Sequence, residues 1–356
     1  MKHTRLYSCF LAVVMLVMAS ATALAQDFVY SAKNVTFLKP GEKNSIAVRL
    51  NNTETFRSIE GVISLPDGLT FVAKTNGKYV INAIGRLQNA NIYLEPIDEH
   101  KAYFMAVSSD AVSAGDDEIF TFDVNADKEL PIASDVKFGE LQISVASGKP
   151  LSYADDFEAK VCNANYELIP SATVDDSARV EFKMKFSKEL SAVTLDAFVP
   201  EGLSIVSWEV NSSFCPNHKV NLKGNHIAVY VKDIYEDRSF VGTEGTVFSF
   251  KVVPDTTISD NKYNEDGVKY EILFKNIQAT TTEKVDGENV NTLYYGSDFS
   301  QEASVVTGIN RINGIETIGE GAADGIYQLN GVRTDKMQRG VNIVVKDGKA
   351  IKVVKK

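Results

Sequence analysis

The chain has 356 residues, and its 37 Lys and Arg against 47 Asp and Glu give a formal net charge of −10 at pH 7. A surface this acidic repels phosphate backbones, so nucleic acid is excluded as an expected partner. The length exceeds what a single hydrophobic core usually accommodates, which predicts two or three domains.

Residues 1–25 have the features of a secretory signal peptide. A positively charged start precedes an apolar stretch, and Ala23 and Ala25 form a small-residue cleavage site. We therefore expect the mature chain to begin near Gln26 and to be secreted or held at the cell surface. No later run approaches the roughly 18 to 20 apolar residues of a membrane span, so no transmembrane anchor is expected.

The central part of the chain repeats one order of motifs. SLPDGLTFV in residues 64–72 and FVPEGLSIV in residues 198–206 each join two apolar segments through Pro, an acid, Gly and Leu. Further along, GDDEIFTFDV is echoed by GTEGTVFSFKV, and VKFGELQISV by YEILFKNIQAT. This order predicts a tandem duplication over residues 27–160 and 161–306.

Both copies have the period of β-strands. NSIAVRLNN places Ile46, Val48 and Leu50 on one side of a strand, and RVEFKMKF alternates in the same way. The predicted fold is all-β, with two tandem antiparallel β-sandwiches of jelly-roll or Greek-key connection. The small, Gly-rich residues 307–324 have the composition of a linker.

The motif order within the copies resembles that of one known family. A PGE turn, the strand IAVRLNN, the turn LPDGLTF and the strand IFTFDV are similar in order to cohesins and related carbohydrate-binding sandwiches. The second copy has IPSATVDDSA where the first has its PGE turn. The resemblance implies cohesin-like domains that bind a protein partner or a polysaccharide.

Residues 325–356 differ from the rest in charge, with eight basic and two acidic residues. GIYQLNGVR, RGVNIV and DGK resemble the C-terminal module of exported Bacteroidetes proteins. This resemblance implies a tag that contacts the secretion machinery or attaches the chain to the surface. We expect a small β-module of three strands, with Gly331, Gly340 and Gly348 at its turns. The alternative is a terminal β-unit packed on the second sandwich.

Motifs of catalysis do not occur in the chain. Neither a G-x-S-x-G elbow, a P-loop nor H-E-x-x-H is present, so we expect no enzyme and no catalytic cofactor. His218 and His226 either meet across a hairpin as metal ligands or are separate surface histidines. Cys162 and Cys215 either form a disulfide or remain two buried thiols.

Carboxylates cluster in several turns, including Asp116 and Asp117. The segment with Asp260, Glu265 and Asp266 is the preferred candidate for calcium, since carboxylate oxygens are the ligands that Ca²⁺ takes. The alternative for each cluster is a solvated turn.

Exposed aromatic rings are the expected platforms for a saccharide. The candidates are Tyr230, Tyr235, Tyr294 and Tyr295, with packing at an edge or in a loop as the alternative. Trp208 shares its alternation with Val206 and Val210, which predicts that it lies in the core.

Two functions from different classes agree with these patterns. The first is an exported, non-catalytic binding or scaffold protein, in which two cohesin-like sandwiches hold a protein partner or a polysaccharide at or outside the cell surface. The second is a structural adhesin or stalk subunit, in which the sandwiches are spacers and strand edges mediate assembly.

Overall fold

The computed structural model describes residues 28–147, 151–233, 238–255, 257–258, 260–265, 267–286, 288–306, 325–328, 333–337, 339–346 and 349–355. The predicted signal peptide, the linker, Tyr235, Asp266, Gly331 and Gly348 lie outside these residues. The chain divides into two compact units, Met1–Asn165 and Tyr166–Lys356. Helices in the described part all fall short of the length and hydrophobicity that a membrane crossing requires.

The first unit consists almost entirely of strands joined by turns. They are β1 Phe28–Ser31, β2 Thr36–Leu38, β3 Lys43–Asn52, β4 Phe56–Ser64, β5 Leu69–Phe71, β6 Ile81–Ala83, β7 Asn91–Pro96, β8 Lys101–Val112, β9 Gly115–Ala126, β10 Ala133–Val145, β11 Ser152–Tyr153 and β12 Phe157–Asn163.

These strands form two sheets. One has the order β1-β3-β9-β5, with β6 paired to β9, and the other has the order β2-β12-β10-β4-β8-β7, with β11 paired to β10. The pairs are antiparallel except for β2 with β12, which is parallel. Ile46, Val48 and Leu50 of β3 are buried, as their alternation predicts. The rings of Phe104 and Phe120, one from each sheet, lie 5.0 Å apart in the core.

The second unit repeats this construction. Its strands are β13 Ile169–Val174, β14 Arg179–Lys185, β15 Ala192–Phe198, β16 Leu203–Val210, β17 His218–Lys223, β18 His226–Val231, β19 Glu244–Pro254, β20 Lys269–Val285, β21 Glu288–Tyr295 and β22 Phe299–Ser304. The described residues also include the 3₁₀ helices Gly85–Leu87, Ala164–Tyr166 and Lys262–Asn264.

The two units have the same order of strands. The sheet β13-β14-β19-β16 corresponds to β1-β3-β9-β5, and β17-β18-β15-β20-β21 corresponds to β7-β8-β4-β10-β11. In the second core the rings of Phe182 and Phe274, again from opposite sheets, lie 5.6 Å apart. The predicted all-β fold with two tandem antiparallel sandwiches is therefore confirmed.

The repeated turn motif has the same backbone in both units. Gly68 has φ of 84° and Gly202 has φ of 91°, a left-handed conformation that glycine adopts without a steric penalty. In each turn the N–H of the following leucine, Leu69 or Leu203, donates to the carbonyl of the proline that opens the motif. The two sequence blocks thus occupy equivalent positions in their sheets.

The predicted boundary between the two copies falls inside a strand. Strand β12 pairs with β10 from Phe157 to Cys162, so it passes through the predicted boundary between residues 160 and 161. The division of the chain follows Asn165, after the end of this strand.

The C-terminal segment forms a sheet of four strands rather than the predicted three. They are β23 Gly325–Gln328, β24 Arg333–Thr334, β25 Gly340–Lys346 and β26 Lys349–Lys355, in the order β24-β23-β25-β26. Gly340 is the first residue of β25 and pairs with Lys355, so it lies in a strand and not at a turn. Ile343 and Val345 are buried.

Candidate protein-binding faces

Each sandwich has one large sheet with a side that points away from its core. In β8 the side chains of Ala102, Phe104 and Ala106 are buried, which leaves Tyr103 and the residues that alternate with it on the outer side. Face 1 is the outer side of β7, β8, β4 and β10. Its residues are Asn91, Tyr93, Glu95, Tyr103, Met105, Val107, Ser58, Glu60, Val62, Gly139 and Gln142.

The centre of face 1 is apolar and aromatic. Tyr93 pairs with Met105 across β7 and β8, and Met105 pairs with Glu60 across β8 and β4. Tyr93 is 42% exposed and Val107 is 41% exposed. Aromatic residues and methionine are enriched in the buried centres of protein interfaces, so these side chains suit a protein partner.

Polar contacts hold the side chains of face 1 in place. The hydroxyl of Tyr103 donates to Oε2 of Glu60, and burial followed by this hydrogen bond raises the pKa of Tyr103 to about 12. Lys78 Nζ lies 2.8 Å from Oε1 of Glu95 and 4.8 Å from the ring centre of Tyr93. Side chains fixed before binding lose less entropy in a complex.

Face 2 is the corresponding side of β17, β18, β15 and β20 in the second unit. Its residues are Lys219, Asn221, Lys223, His226, Ala228, Tyr230, Thr194, Asp196, Phe198, Lys275 and Gln278. Its centre is polar where that of face 1 is apolar. Asp196 accepts from Nδ2 of Asn276 at 2.7 Å, and its other oxygen lies 2.8 Å from Nδ1 of His226.

A β-bulge lies at the same place beside each face. Glu140 in β10 has φ of 55° and Asn276 in β20 has φ of 53°. The pairing register shifts at each of them, so the residues that follow change side relative to an unbroken strand. An open depression of about 550 Å³ adjoins the first bulge, lined among others by Lys137 and Asp156.

The tyrosines predicted as a saccharide platform are not brought together. Tyr294 is 1% exposed and packs against Phe186 with ring centres 4.6 Å apart, so the prediction that it is a surface ligand-binding residue is wrong. Alternation explains this, since Tyr295 points to the other side and is half-buried. Tyr230 lies on face 2 with Lys219 Nζ 4.9 Å from its ring centre.

Trp208 is the opposite case, because it was predicted in the core and is 43% exposed. Val206 pairs with Lys251 and Glu209 pairs with Ser249, so Ser207 and Trp208 together stand opposite a single residue. Val206 lies on the side away from the core, since its partner Lys251 alternates with the buried Phe250 and Val252, and Trp208 points to that side with it. The bulge, where Ser207 has φ of 54°, breaks the alternation between Trp208 and Val210.

The two histidines of the β17–β18 hairpin lie at opposite ends of it and do not meet. His218 pairs with Val231 and His226 with Lys223. His218 is fully buried rather than at the surface, with Nε2 3.0 Å from the carbonyl oxygen of Ser191. The proposed metal pair across the hairpin is therefore wrong.

The candidate calcium loop is organised by an amide. Asn261 donates to the carbonyl of Gly202 at 2.6 Å and accepts from the N–H of Tyr263 at 3.0 Å, between Asp260 and Glu265. Within the residues that the structure describes, no three His, Cys, Asp or Glu side chains come together as a metal site.

Asp116 and Asp117, expected in a turn, lie at the start of strand β9 and are engaged by arginines. Asp116 Oδ1 lies 2.6 Å from Nε of Arg49, whose hydrogen bond lowers the pKa of this carboxyl. Arg86 Nε lies 2.7 Å from Oδ1 of Asp117 in an ion-pair geometry, and burial lowers the pKa of Arg86.

The two cysteines are separate buried thiols. Cys162 is 2% exposed in the first unit, Cys215 is fully buried in the second, and both are free. Burial raises the pKa of each thiol to about 12. Of the two alternatives that the sequence left open, the disulfide is the one that the structure does not form.

The side chains of face 1 were not singled out from the sequence. The signal was present in KAYFMAVSS, where Tyr103, Met105 and Val107 alternate with small or buried residues. Large apolar residues on the side opposite to buried alanines indicate a strand with two covered faces or an exposed interface.

Solved structures align with this chain, but no match was found at the level of sequence. No protein-family model matches the chain, and no curated protein matches it. Solved structures that align with it include the type II cohesin dyad from the adaptor ScaA scaffoldin of Acetivibrio cellulolyticus. That alignment has 10% identity and a TM-score of 0.37, and it covers 76% of this chain and 97% of the dyad.

Single cohesin modules align over a shorter part of the chain. The non-cellulosomal cohesin from Archaeoglobus fulgidus has 13% identity and a TM-score of 0.30, over 39% of this chain and 93% of that one. The third ScaB cohesin of R. flavefaciens, solved with a group 1 dockerin, has 17% identity and a TM-score of 0.30. That alignment covers 39% of this chain and 99% of the cohesin chain. The fold is shown by the strand order of the two units.

Proposed function

We propose that the chain is an exported, non-catalytic scaffold protein that binds partner proteins through the outer faces of its two sandwiches. The observation that carries the proposal is face 1, where Tyr93, Met105 and Val107 are accessible on a sheet that no described residue of its own unit covers. Exposed apolar residues of this kind mark interaction sites.

The chemistry of face 1 suits a protein more than a polysaccharide. Tyr93 and Met105 are neighbours in register, and the nearby polar groups of Glu60 and Glu95 are already engaged by Tyr103 and Lys78. A saccharide needs free hydrogen-bonding groups around an aromatic ring, whereas a protein can cover an apolar centre with a polar rim.

Export and sorting belong to the same proposal. Residues 1–25 supply the signal for export, and the basic C-terminal segment, which includes the sheet β24-β23-β25-β26, serves as a signal for secretion or surface attachment. The net charge of +6 in residues 325–356, within an acidic chain, supports a role separate from that of the sandwiches.

The test compares two aspartate substitutions at sites of equal exposure. Val107→Asp lies on face 1, and Val29→Asp lies on β1 in the other sheet, at 41% and 43% exposure. The full mature chain is immobilised and probed with the secreted proteins of its native organism, with a purified group 1 dockerin, and with a glycan array. We expect one protein species to be retained at least tenfold less by Val107→Asp and by Tyr93→Ala, and unchanged by Val29→Asp.

Other outcomes contradict the proposal. Equal retention by all variants would remove face 1 as the site. Binding on the glycan array alone would identify a polysaccharide-binding protein, and no binding in any arm would favour the structural stalk.

A further inference from the structure

Face 2 carries a group of lysines that make no ion pair. Lys219, Lys223 and Lys275 are exposed, and none of their ammonium groups has a carboxylate partner among the described residues. Elsewhere in this unit the lysines of β14 and Lys188 do pair with glutamates. Face 2 therefore presents three exposed lysines whose charge no carboxylate of the described residues pairs with.

The lysines are specific to face 2. The bulges at Glu140 and Asn276 align the two sheets residue by residue, so that Lys219 corresponds to Asn91 and Lys223 to Glu95. By the same register Lys275 corresponds to Gly139. Face 1 thus has neutral or acidic residues at the three positions where face 2 has cations.

The three cations are spread over a broad surface. Lys219 and Lys223 lie four residues apart on β17, roughly 13 Å along the strand, and Lys275 lies three strands away, roughly 14 Å across the sheet. Between Lys223 and Lys275 in register are His226 and Asp196, which bind each other. The other oxygen of Asp196 accepts from Asn276, so this carboxylate is engaged by His226 and Asn276 and forms no ion pair with Lys275, its neighbour in register.

Aromatic and apolar groups lie among the lysines. Lys219 Nζ is 4.9 Å from the ring centre of Tyr230, and Lys275 Nζ is 5.9 Å from that of Phe198. Leu273 pairs with Phe198 and is 37% exposed. An occupant that fits must therefore bring both carboxylates and apolar side chains.

We propose that face 2 binds an acidic segment of a partner protein, with chemistry distinct from that of the partner of face 1. The proposal rests on the proposed function and names the partner class of its second site. Charge complementarity raises the association rate and selects against basic partners. The chain as a whole carries −10 and repels stiff polyanions, which favours a short acidic segment over nucleic acid or a sulfated glycan.

The test uses the full mature chain and a fluorescent peptide that repeats Glu-Glu-Leu. We expect the triple variant Lys219→Gln, Lys223→Gln, Lys275→Gln to bind this peptide at least tenfold more weakly than wild type. The matched control removes the same charge elsewhere, through Lys39→Gln, Lys251→Gln and Lys262→Gln, and should bind like wild type. Affinity for the wild-type chain should fall as salt is raised.

The remaining outcomes overturn the inference. Equal weakening by both triple variants would show a non-specific charge effect, and unchanged binding by the face 2 variant would exclude the face. A preference for heparin over the peptide would identify a polyanionic glycan as the occupant. Loss of the face 1 partner in Val107→Asp is measured separately, so failure of the proposed function is distinguishable from failure here. Melting curves of every variant check that the fold is retained.

Discussion

Asp298 Oδ1 accepts a hydrogen bond from the backbone N–H of Asn276 at 3.0 Å. The first unit contains the same contact, in which Asp156 Oδ1 accepts from the N–H of Glu140 at 3.2 Å. In both units the bonded amide belongs to the bulge residue with positive φ. The aspartate therefore stabilises the bulge that sets which side chains of β10 and β20 point to the faces.

A phenylalanine follows each of these aspartates and packs in the same way in both units. Phe157 stacks on Phe138 with ring centres 4.3 Å apart, and Phe299 stacks on Phe274 at 4.7 Å. The dipeptide Asp-Phe thus links a bulge to the core in each sandwich. This dipeptide is a feature shared by both copies, and it supports the duplication independently of the alternation within the strands.

Removing this contact should weaken the second sandwich. We expect Asp298→Ala to lower the free energy of unfolding by about 1 kcal/mol, because a backbone N–H loses its acceptor. Asn276→Gly relieves the positive φ but removes the hydrogen bond from Asn276 Nδ2 to Asp196, so we expect a change within about 1 kcal/mol. Urea unfolding of the purified chain measures both. Ser300→Ala, an exposed neighbour, is the control, and an equal loss in this variant would contradict the role of Asp298.

The exposed position of Trp208 can be checked because it is the single tryptophan of the chain. We expect native fluorescence to be quenched readily by acrylamide, with little gain in quenching after unfolding in guanidinium. Ser207→Gly should leave this behaviour unchanged, since it keeps the φ of 54° accessible at lower cost. A native indole that resists quenching would place Trp208 in the core and contradict the bulge.

The alternation of apolar residues predicted where strands and turns lie, but it did not predict the β-bulges that interrupt the strands. Ile46, Val48 and Leu50 are buried together because β3 keeps its alternation there, and the shift of register after Val48 is taken up by an extra residue of β9. Trp208 was misplaced because Val206, with which it alternates, pairs with Lys251 on the outer side of the sheet, and the bulge at Ser207 puts Val210 on the other side, opposite the buried Phe248. Such a bulge is set by pairing with β19, which lies far along the chain, so the local pattern does not reveal it.

The residues of the candidate site could not be placed from the local sequence either. Tyr294 and Tyr295 are identical in type, and only the position of β21 in its sheet decides that Tyr294 is buried. The lysines of face 2 lie on one side of one sheet because β17 and β20 both belong to it. Their separation along the sequence gives no sign of this.

Arg86 and Arg49 bind neighbouring aspartates of β9 and differ in burial, so they test how burial changes the contribution of an arginine. The Arg86 side chain is 11% exposed and donates to the carbonyl of Ser113 at 3.0 Å and to that of Leu50. We expect Arg86→Gln to lower the free energy of unfolding by about 2 to 3 kcal/mol. Arg49→Gln removes an exposed pair with Asp116 and should cost about 0 to 1 kcal/mol. Similar losses in chemical denaturation would contradict this ranking.

The cysteines should be unreactive in the folded chain. Burial raises the pKa of both thiols to about 12 from an ordinary value of 9.0, so thiolate is scarce at pH 8. We expect Cys162 and Cys215 to escape a thiol reagent in the native state and both to react in guanidinium without a reductant. Since the folded state favours the protonated form, this contribution to stability is complete below pH 9 and declines between about pH 9 and 12. Two thiols that stay unreactive after unfolding would instead indicate a disulfide.

The C-terminal segment can be removed without touching a strand of the second sandwich. Its last strand, β22, ends at Ser304, and the N–H of Val305 donates to the carbonyl of Val268, so a chain that ends at Val306 keeps this contact. We expect this truncated chain to melt at the same temperature as the full chain and to lose its secretion or surface attachment. Thermal melting and cell fractionation in the native organism measure the two properties.

A second deletion distinguishes the role of the basic C-terminal segment from that of residues 307–324. Removal of residues 307–324 alone keeps the basic C-terminal segment and should leave both melting and location as in the full chain. If the chain that ends at Val306 reached the same location, the segment would not be a sorting signal. If it lost its folded state, strands β23 to β26 would belong to the core of the second unit. Surface charge pairs contribute only about 0 to 1 kcal/mol each, so the positive charge of this segment gives little reason to expect the second result.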